Sequence, residues 1–293
     1  MGDAKRIIVK PIAAADAARI VKALHYSGKV VQNSQVHLGV FLDGKCGGAM
    51  QFGPSLDKRK IQGLVRDTKW NEFIELNRMA FADWLPRNGE SRAIGFAMRW
   101  LKKTYPWLQW VISFADGTQC GDGTIYRASG FVLTSIKRND QIWSAPDGST
   151  FAESDAKSSL SKRAELRKKI YSRTSLTDGR SKQQQQQAVA VCRGYATKAG
   201  NILETGAASM ASFKAAGFAP LPGYQLRYIY FLDQTARERL TVPILPFSEI
   251  ERRGAGMYRG NPISRASSAD SGTSGHQPEW GGATPTDALH VSA

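Results

Sequence analysis

Three side chains able to move protons, His25, Asp116 and Tyr126, and one turn suited to an anion, Pro86 to Arg92, are where chemistry can be built in this sequence. The segment WVISFADGTQCGDGTIYRASGFVLT, Trp110 to Thr134, reads as a unit: an apolar strand, an acid at its tip (Asp116), a loop rich in Gly, Thr and Gln, and a short helix presenting Tyr126. An acid at the C-terminal end of a central strand stands where α/β folds gather their ligands. There it can act as general base, orient a partner or bind a metal; it can equally cap the turn ahead of Gly117. Asp116 lies ten residues before Tyr126, close enough for both to face one cleft. Taken alone, a Tyr in IYRASGF is a packing residue, and His25, at a helix end before Ser27 and Gly28, is a capping residue.

The turn PRNGESR, Pro86 to Arg92, sits between a strand and a helix N-terminus. Unpaired backbone N–H groups and the helix dipole favour an anion there, and Arg87 and Arg92 add positive charge. A phosphate-bearing ligand is one reading; an ordinary turn, with Asn88-Gly89 as its bend and Ser91 as the helix cap, is the other.

The elements that must position these residues follow from periodicity. Arg6 to Ile12 reads as a strand, and Ala14 to Leu24 as a helix that stops at His25-Tyr26-Ser27-Gly28. His37 to Leu42 and Cys46 to Phe52 form a hairpin about Asp43-Gly44. Phe73 to Phe81 reads as a strand, followed by turn residues Asp83 to Glu90 and a helix from Ser91 to Thr104. Phe131 to Lys137, Gln141 to Ala145 and Tyr224 to Leu232 complete the strands. The pattern is a mixed α/β sheet whose middle holds two consecutive strand-to-helix units.

With 293 residues and 42% hydrophobic content the chain supports a sizeable core, and a formal net charge of +15 favours a polyanionic partner. Part of that charge is local: residues 157–182 hold nine Lys or Arg against Glu165 and Asp178. We read Ser158 to Ser172 as a basic helix suited to phosphates, or simply solvated, and Ser181 to Gln187 as low complexity. Residues 264–293 have the composition of a disordered tail. Three widely spaced cysteines, Cys46, Cys120 and Cys192, fit neither a disulfide framework nor a metal motif. No window resembles a signal peptide or membrane span, so a cytoplasmic protein with no membrane partner is expected. Four segments result: a catalytic core over 1–145, a basic, Gln-rich insertion over 146–223, a final core strand and C-terminal segment over 224–263, and the tail.

A helical Tyr followed by Gly-Phe, one strand and one loop after a phosphate-binding turn, resembles the GNAT acetyltransferase superfamily. That resemblance implies that the turn cradles the pyrophosphate of acetyl coenzyme A (acetyl-CoA) and that Tyr126 protonates the departing thiolate. PRNGESRAIG departs from the superfamily's usual turn in offering only Gly89 and Gly95. More narrowly, HYSGK at His25, ELNRMAFADWLPRNGESRAIGF at Glu75 and SFADGTQCGDGTIYRASGF at Ser113 resemble the bacteriophage Mom DNA-modification proteins, which have a GNAT-like fold. The likeness spans roughly residues 5–145 and returns at LRYIYFLD and LTVPILPF.

The Mom resemblance implies a GNAT-like mixed sheet flanked by helices and an enzyme that converts adenine in double-stranded DNA to its N6-carbamoylmethyl (acetamido) derivative with acetyl-CoA, protecting phage DNA from restriction. It places His25, Asp116 and Tyr126 in the reaction centre and Arg78 and Ser91 on the acyl-donor side, with Arg87, Asn88, Gly89 and Arg92 completing the donor turn. A metal ion, iron among the candidates, is a further implication, with His25, Asp116 and Tyr126 as its natural ligands. A duplex adenine must leave the stack to be reached, and Trp84, Trp107, Trp110 and Trp143 are either stacking or core residues. Two other expectations stay open: an N-acetyltransferase acting on a protein or small amine, and a non-catalytic DNA-binding protein on the same scaffold.

Overall fold

A computed structural model describes residues 3–25, 27–118, 121–144, 150–152, 214, 217–258 and 261–262. The basic insertion, the Gln run and the tail expected from composition lie outside the described residues.

The strands are β1 (Ile8–Pro11), β2 (Val36–Leu42), β3 (Lys45–Gly53), β4 (Phe73–Phe81), β5 (Trp110–Asp116), β6 (Val132–Arg138), β7 (Ile142–Ser144), β8 (Thr150–Ala152), β9 (Ala219–Pro220) and β10 (Tyr224–Phe231). The helices are α1 (Ala14–Leu24), α2 (Lys58–Gln62), α3 (Gly89–Thr104), α4 (Thr124–Ala128), α5 (Thr235–Glu238) and α6 (Ser248–Arg252). Seven strands form one mixed sheet in the order β1-β2-β3-β4-β5-β10-β6, which is the mixed α/β architecture read from the sequence. The chain divides into two compact units, one built on Met1–Ile136 and Gln225–Tyr258, the other within Lys137–Tyr224. The second contains a small sheet of β8, β7 and β9.

The strand junction that matters is β4 with β5. They pair in parallel over three positions only, Phe73 with Trp110, Ile74 with Val111 and Glu75 with Ile112. Beyond that rung β4 pairs only with β3, and β5 only with β10. The two central strands therefore splay apart after Glu75 and Ile112, leaving facing backbone edges with no partner strand among the described residues. A β-bulge sharpens the opening: the β3–β4 register jumps from Phe52–Leu76 to Gln51–Arg78, so Asn77 is the extra residue.

Side-chain alternation sorts the residues onto two faces. Ala49 packs with α1 through Ala17 and Ile20. Gln51 and Gly53 share its face by alternation, and their β4 partners are Arg78 and Glu75. Glu75 pairs in turn with Ile112, which packs with Phe73 and Trp110 in the principal cluster on that face. Ser113 is one step on and points to the opposite face. Phe73 and Trp110 stack at 4.6 Å between ring centroids beneath the junction. Among the described residues no helix is long and apolar enough to cross a membrane.

Candidate active site

On the Ser113 face the Tyr126 hydroxyl meets Ser113 Oγ at 2.9 Å, and the same Oγ lies 3.2 Å from the Leu76 carbonyl across the splay. The Tyr126 ring is held by stacking on Tyr228 at 5.0 Å and by an edge contact with Phe131 at 5.3 Å. Tyr228 is fixed in turn by donating to the Asp122 carbonyl at 2.6 Å, and burial, aided by the nearby Asp122 charge, pushes its phenol well above the usual range. Gly123, at φ +72, makes this packing possible, because a Cβ there would stand 2.6 Å from the Tyr228 ring. The sequence thus places Tyr126 by an Asp-Gly turn, a one-turn helix and a Gly-Phe exit, each with a packing role.

The anion turn lies on the same side. Helix α3 begins at Gly89, two residues earlier than its expected start at Ser91, and its cap is Asn88 in the left-handed conformation (φ 64). Ser91 is therefore inside the first turn, with its hydroxyl donating to the Asn88 carbonyl at 3.2 Å. The Gly89 and Arg92 amides donate to Pro86 and Asn88, so among the described residues those of Glu90 and Ser91 are the unused donors of the first turn. Ser129, at the end of α4, approaches the Ser91 carbonyl at 3.5 Å, which sets the start of α3 beside the helix that carries Tyr126. Arg92 donates to the Lys5 carbonyl at 3.3 Å and lies over Phe96, yet its Nε is buried with no hydrogen-bond partner. Arg87 is exposed. Two free amides, an orphaned guanidinium N–H and an exposed Arg make a set of donors that fits a phosphate.

The opposite face gathers a second group. His25 caps α1, its Nδ1 2.8 Å from Ser27 Oγ. Burial, with the positive charge of Arg78, lowers its pKa to about 4, so it is neutral at physiological pH. Arg78 donates from Nε to the Lys29 carbonyl at 3.0 Å, tying the loop after α1 to β4. Arg78 is thus grouped with His25, while Ser91 stands with Tyr126. Asp116 shares the face of Ile112 and Phe114 by alternation, and its Oδ1 accepts from the Thr118 amide at 3.0 Å, as a turn-capping acid does.

Sequence reasoning assigned no role to Glu75, yet Glu75 stands at the last rung of the β4–β5 pairing on this face. Burial pushes its carboxyl up, opposed by the side chains of Ser55 and Asn77 and by Arg78. Ser55 Oγ is buried without a hydrogen-bond partner among the described residues. Asn77, the bulge residue, is itself fixed by accepting from Ser34 Oγ at 3.1 Å. The signal in the sequence was the polar group Glu75, Asn77 and Arg78 inside the central strand FIELNRMAF.

The junction therefore has a phenol on one face and a carboxyl with a neutral imidazole on the other, across a gap between two strands. A proton acceptor and a proton donor on either side of an opening can serve transfer between two bound groups. Among the described residues no three His, Cys, Asp or Glu side chains cluster as a metal site, and Tyr126 and Asp116 face opposite sides of β5. Of the tryptophans considered for stacking, Trp110 and Trp143 are buried, whereas Trp84 and Trp107 are exposed.

Comparison with known proteins bears on this arrangement. The Mom protein family matches residues 6–193. The chain belongs to that family. Among curated proteins, the methylcarbamoylase Mom of Escherichia phage Mu is 41% identical over 128 residues, covering 43% of this chain and 53% of that protein. The chain thus spans about half the length of this relative. Among solved structures, a GNAT family acetyltransferase from Elizabethkingia anophelis with acetyl-CoA bound is 14% identical, covering 46% of this chain and 81% of that one at a TM-score of 0.33. A GNAT family acetyltransferase from Streptococcus pneumoniae is 16% identical, with 45% and 88% covered, also at 0.33. Scores this low carry no functional argument.

Proposed function

We propose that this chain is a DNA-modifying transferase that converts adenine to its N6-carbamoylmethyl derivative with acetyl-CoA as donor, protecting the DNA that carries it from restriction. The observation that carries the reading is the 41% identity to the phage Mu methylcarbamoylase, in a chain whose family match, residues 6–193, includes His25, Glu75, Asp116 and Tyr126.

The arrangement supports a division of labour. The donor's pyrophosphate fits the free amides of Glu90 and Ser91 with Arg87 and the unpartnered Nε of Arg92. When bound there, acetyl-CoA supplies an activated acyl group on a thiolate leaving group. Tyr126, its hydroxyl at the splay and relayed to Ser113, delivers a proton to that sulfur. On the acceptor side Glu75 takes the proton that the adenine amine loses as its bond to the acetyl methyl carbon forms. Its raised pKa makes it a stronger base than an ordinary carboxylate. That carbon–nitrogen bond requires a two-electron oxidant, and an ammonia-level nitrogen displaces the thiolate to give the terminal amide, so an oxidant and a nitrogen donor are co-reactants beside acetyl-CoA. His25, neutral, accepts a hydrogen bond without adding charge. Asp116 and Arg78 flank this pocket and orient the base.

Nucleoside mass spectrometry of DNA from cells expressing the full chain tests the reading. Carbamoylmethyladenine is expected. Unmodified adenine beside an acetylated protein or small amine would replace this reading with an ordinary N-acetyltransferase.

A further inference from the structure

Gly53 pairs with Glu75 across β3 and β4, and two residues on Ser55 is buried at 5% exposure while the next residue, Leu56, is fully exposed at 106%. The chain therefore passes from the acceptor pocket to a bare apolar side chain in a single step. Both flanks are anchored. Before Leu56, the end of β3 is clamped at Gly53, where a Cβ would stand 2.7 Å from Asn77 and 2.8 Å from Ser34. After it, Ile61, Leu64 and Val65 pack into the principal cluster. Leu56 thus holds its whole apolar side chain in water on an anchored base, area that burial in a partner would stabilise.

Its neighbours are cationic and aromatic. Lys58, Arg59 and Lys60 open α2, where positive charge opposes the helix dipole. None of the three forms an ion pair among the described residues, and Asp57 spends its carboxylate on the Lys60 amide at 3.4 Å. Lys58 Nζ lies 4.7 Å from the ring of Trp70, itself 49% exposed. Charge placed against helix preference, beside an exposed Leu and Trp, fits a polyanion that also offers apolar surface between its stacked layers.

We infer that Leu56 is a wedge that enters the base stack of duplex DNA as the target adenine leaves it, with Lys58, Arg59 and Lys60 seated on the flanking phosphates. This rests on the DNA-modification reading and deepens it. A duplex base reaches a catalytic pocket only by unstacking, and apolar side chains inserted between base steps offset that cost. The wedge sits one residue from Ser55, so the gap it fills adjoins the pocket that receives the base.

The test compares Leu56→Ala with the unsubstituted full chain on duplex DNA and on one of its separated strands, by nucleoside mass spectrometry. The wedge predicts a fall of about tenfold or more on the duplex and no change on the single strand, which needs no flipping. Leu56→Met, which keeps an apolar wedge, restores the duplex rate. Equal effects on both substrates, or on neither, overturn the wedge. Independently of turnover, K58Q/R59Q/K60Q should flatten the log–log salt dependence of duplex binding, read by fluorescence anisotropy, by ~2.7, at ~0.9 per phosphate contact. An unchanged slope overturns the phosphate contacts. A wild-type chain that modifies neither substrate sinks the modification reading instead, and the anisotropy titration still decides whether this surface binds DNA.

Discussion

Tyr126→Phe removes one oxygen atom and leaves almost everything that positions the ring, so its consequences can be worked from the structure. The contacts with Tyr228 at 5.0 Å and Phe131 at 5.3 Å do not involve the hydroxyl and persist. The Ser113 hydroxyl loses a partner at 2.9 Å but keeps the Leu76 carbonyl at 3.2 Å, so Ser113 is not stranded. The stability cost is that of one neutral hydrogen bond, about 0.5–1.5 kcal/mol. For a domain of this size that lowers Tm by a few degrees, about 2–4 °C per kcal/mol. Loss of a proton donor to the leaving group costs far more in rate, roughly 10²- to 10⁴-fold. Thermal melts together with single-turnover modification assays separate the two quantities. A variant that melts within a few degrees of wild type and modifies DNA at the wild-type rate would refute the role given to Tyr126. A variant that unfolds would refute the packing argument instead.

Further outcomes follow from the same geometry. The raised pKa of Glu75 means that its basic form accumulates only as pH climbs through that value, so the rate should rise over the same window and then level off. Glu75→Gln should lose this limb and roughly 10²-fold or more in rate; an unchanged pH–rate profile would remove Glu75 from the chemistry. His25 binds its proton near pH 4 when folded but near the ordinary 6.5 when unfolded, so stability is fully present above about 6.5 and is lost as pH falls towards 4. The full shift sets an upper bound of roughly 3 kcal/mol, reduced by partial exposure. In urea melts His25→Gln should flatten that slope, and an equally steep slope would contradict the burial argument. Gly123→Ala combines a left-handed backbone with a Cβ placed into Tyr228. It should cost about 2–4 kcal/mol, and a denaturation midpoint equal to wild type would show that the Tyr228 ring yields freely.

Much of the fold was legible because its elements carry strong local signals. The helical spacing over Ala14–Leu24 and the apolar run Phe73–Phe81 give the observed bounds, and Asp43-Gly44 marks the β2–β3 hairpin. The α3 start was displaced because Asn88 takes a left-handed conformation and lets the helix begin at Gly89, a choice that Gly89's burial against Ile7 settles. Helix α2 was missed since five residues, three of them basic, carry no amphipathic period. The acceptor side was illegible for a deeper reason. Glu75 is set by its strand neighbours Asn77 and Arg78, but the bulge at Asn77 and the ties of Asn77 to Ser34 and of Arg78 to Lys29 are contacts across strands and loops. Local periodicity contains no trace of them. Nor could spacing show that Tyr126 joins Ser113 while Asp116 turns to the other face, because the nine intervening residues fix proximity but not side.

The central claim is that the junction moves carbon from acetyl-CoA onto adenine in DNA. The purified protein with duplex DNA, an ammonium-level nitrogen donor, an oxidant and acetyl-CoA carrying heavy carbon in its acetyl group tests it directly, with mass spectrometry of the digested nucleosides as the readout. The account predicts heavy carbon in the carbamoylmethyl group of adenine, lost with Tyr126→Phe and Glu75→Gln. Modified adenine without the label, or label found only in coenzyme and protein, would contradict it.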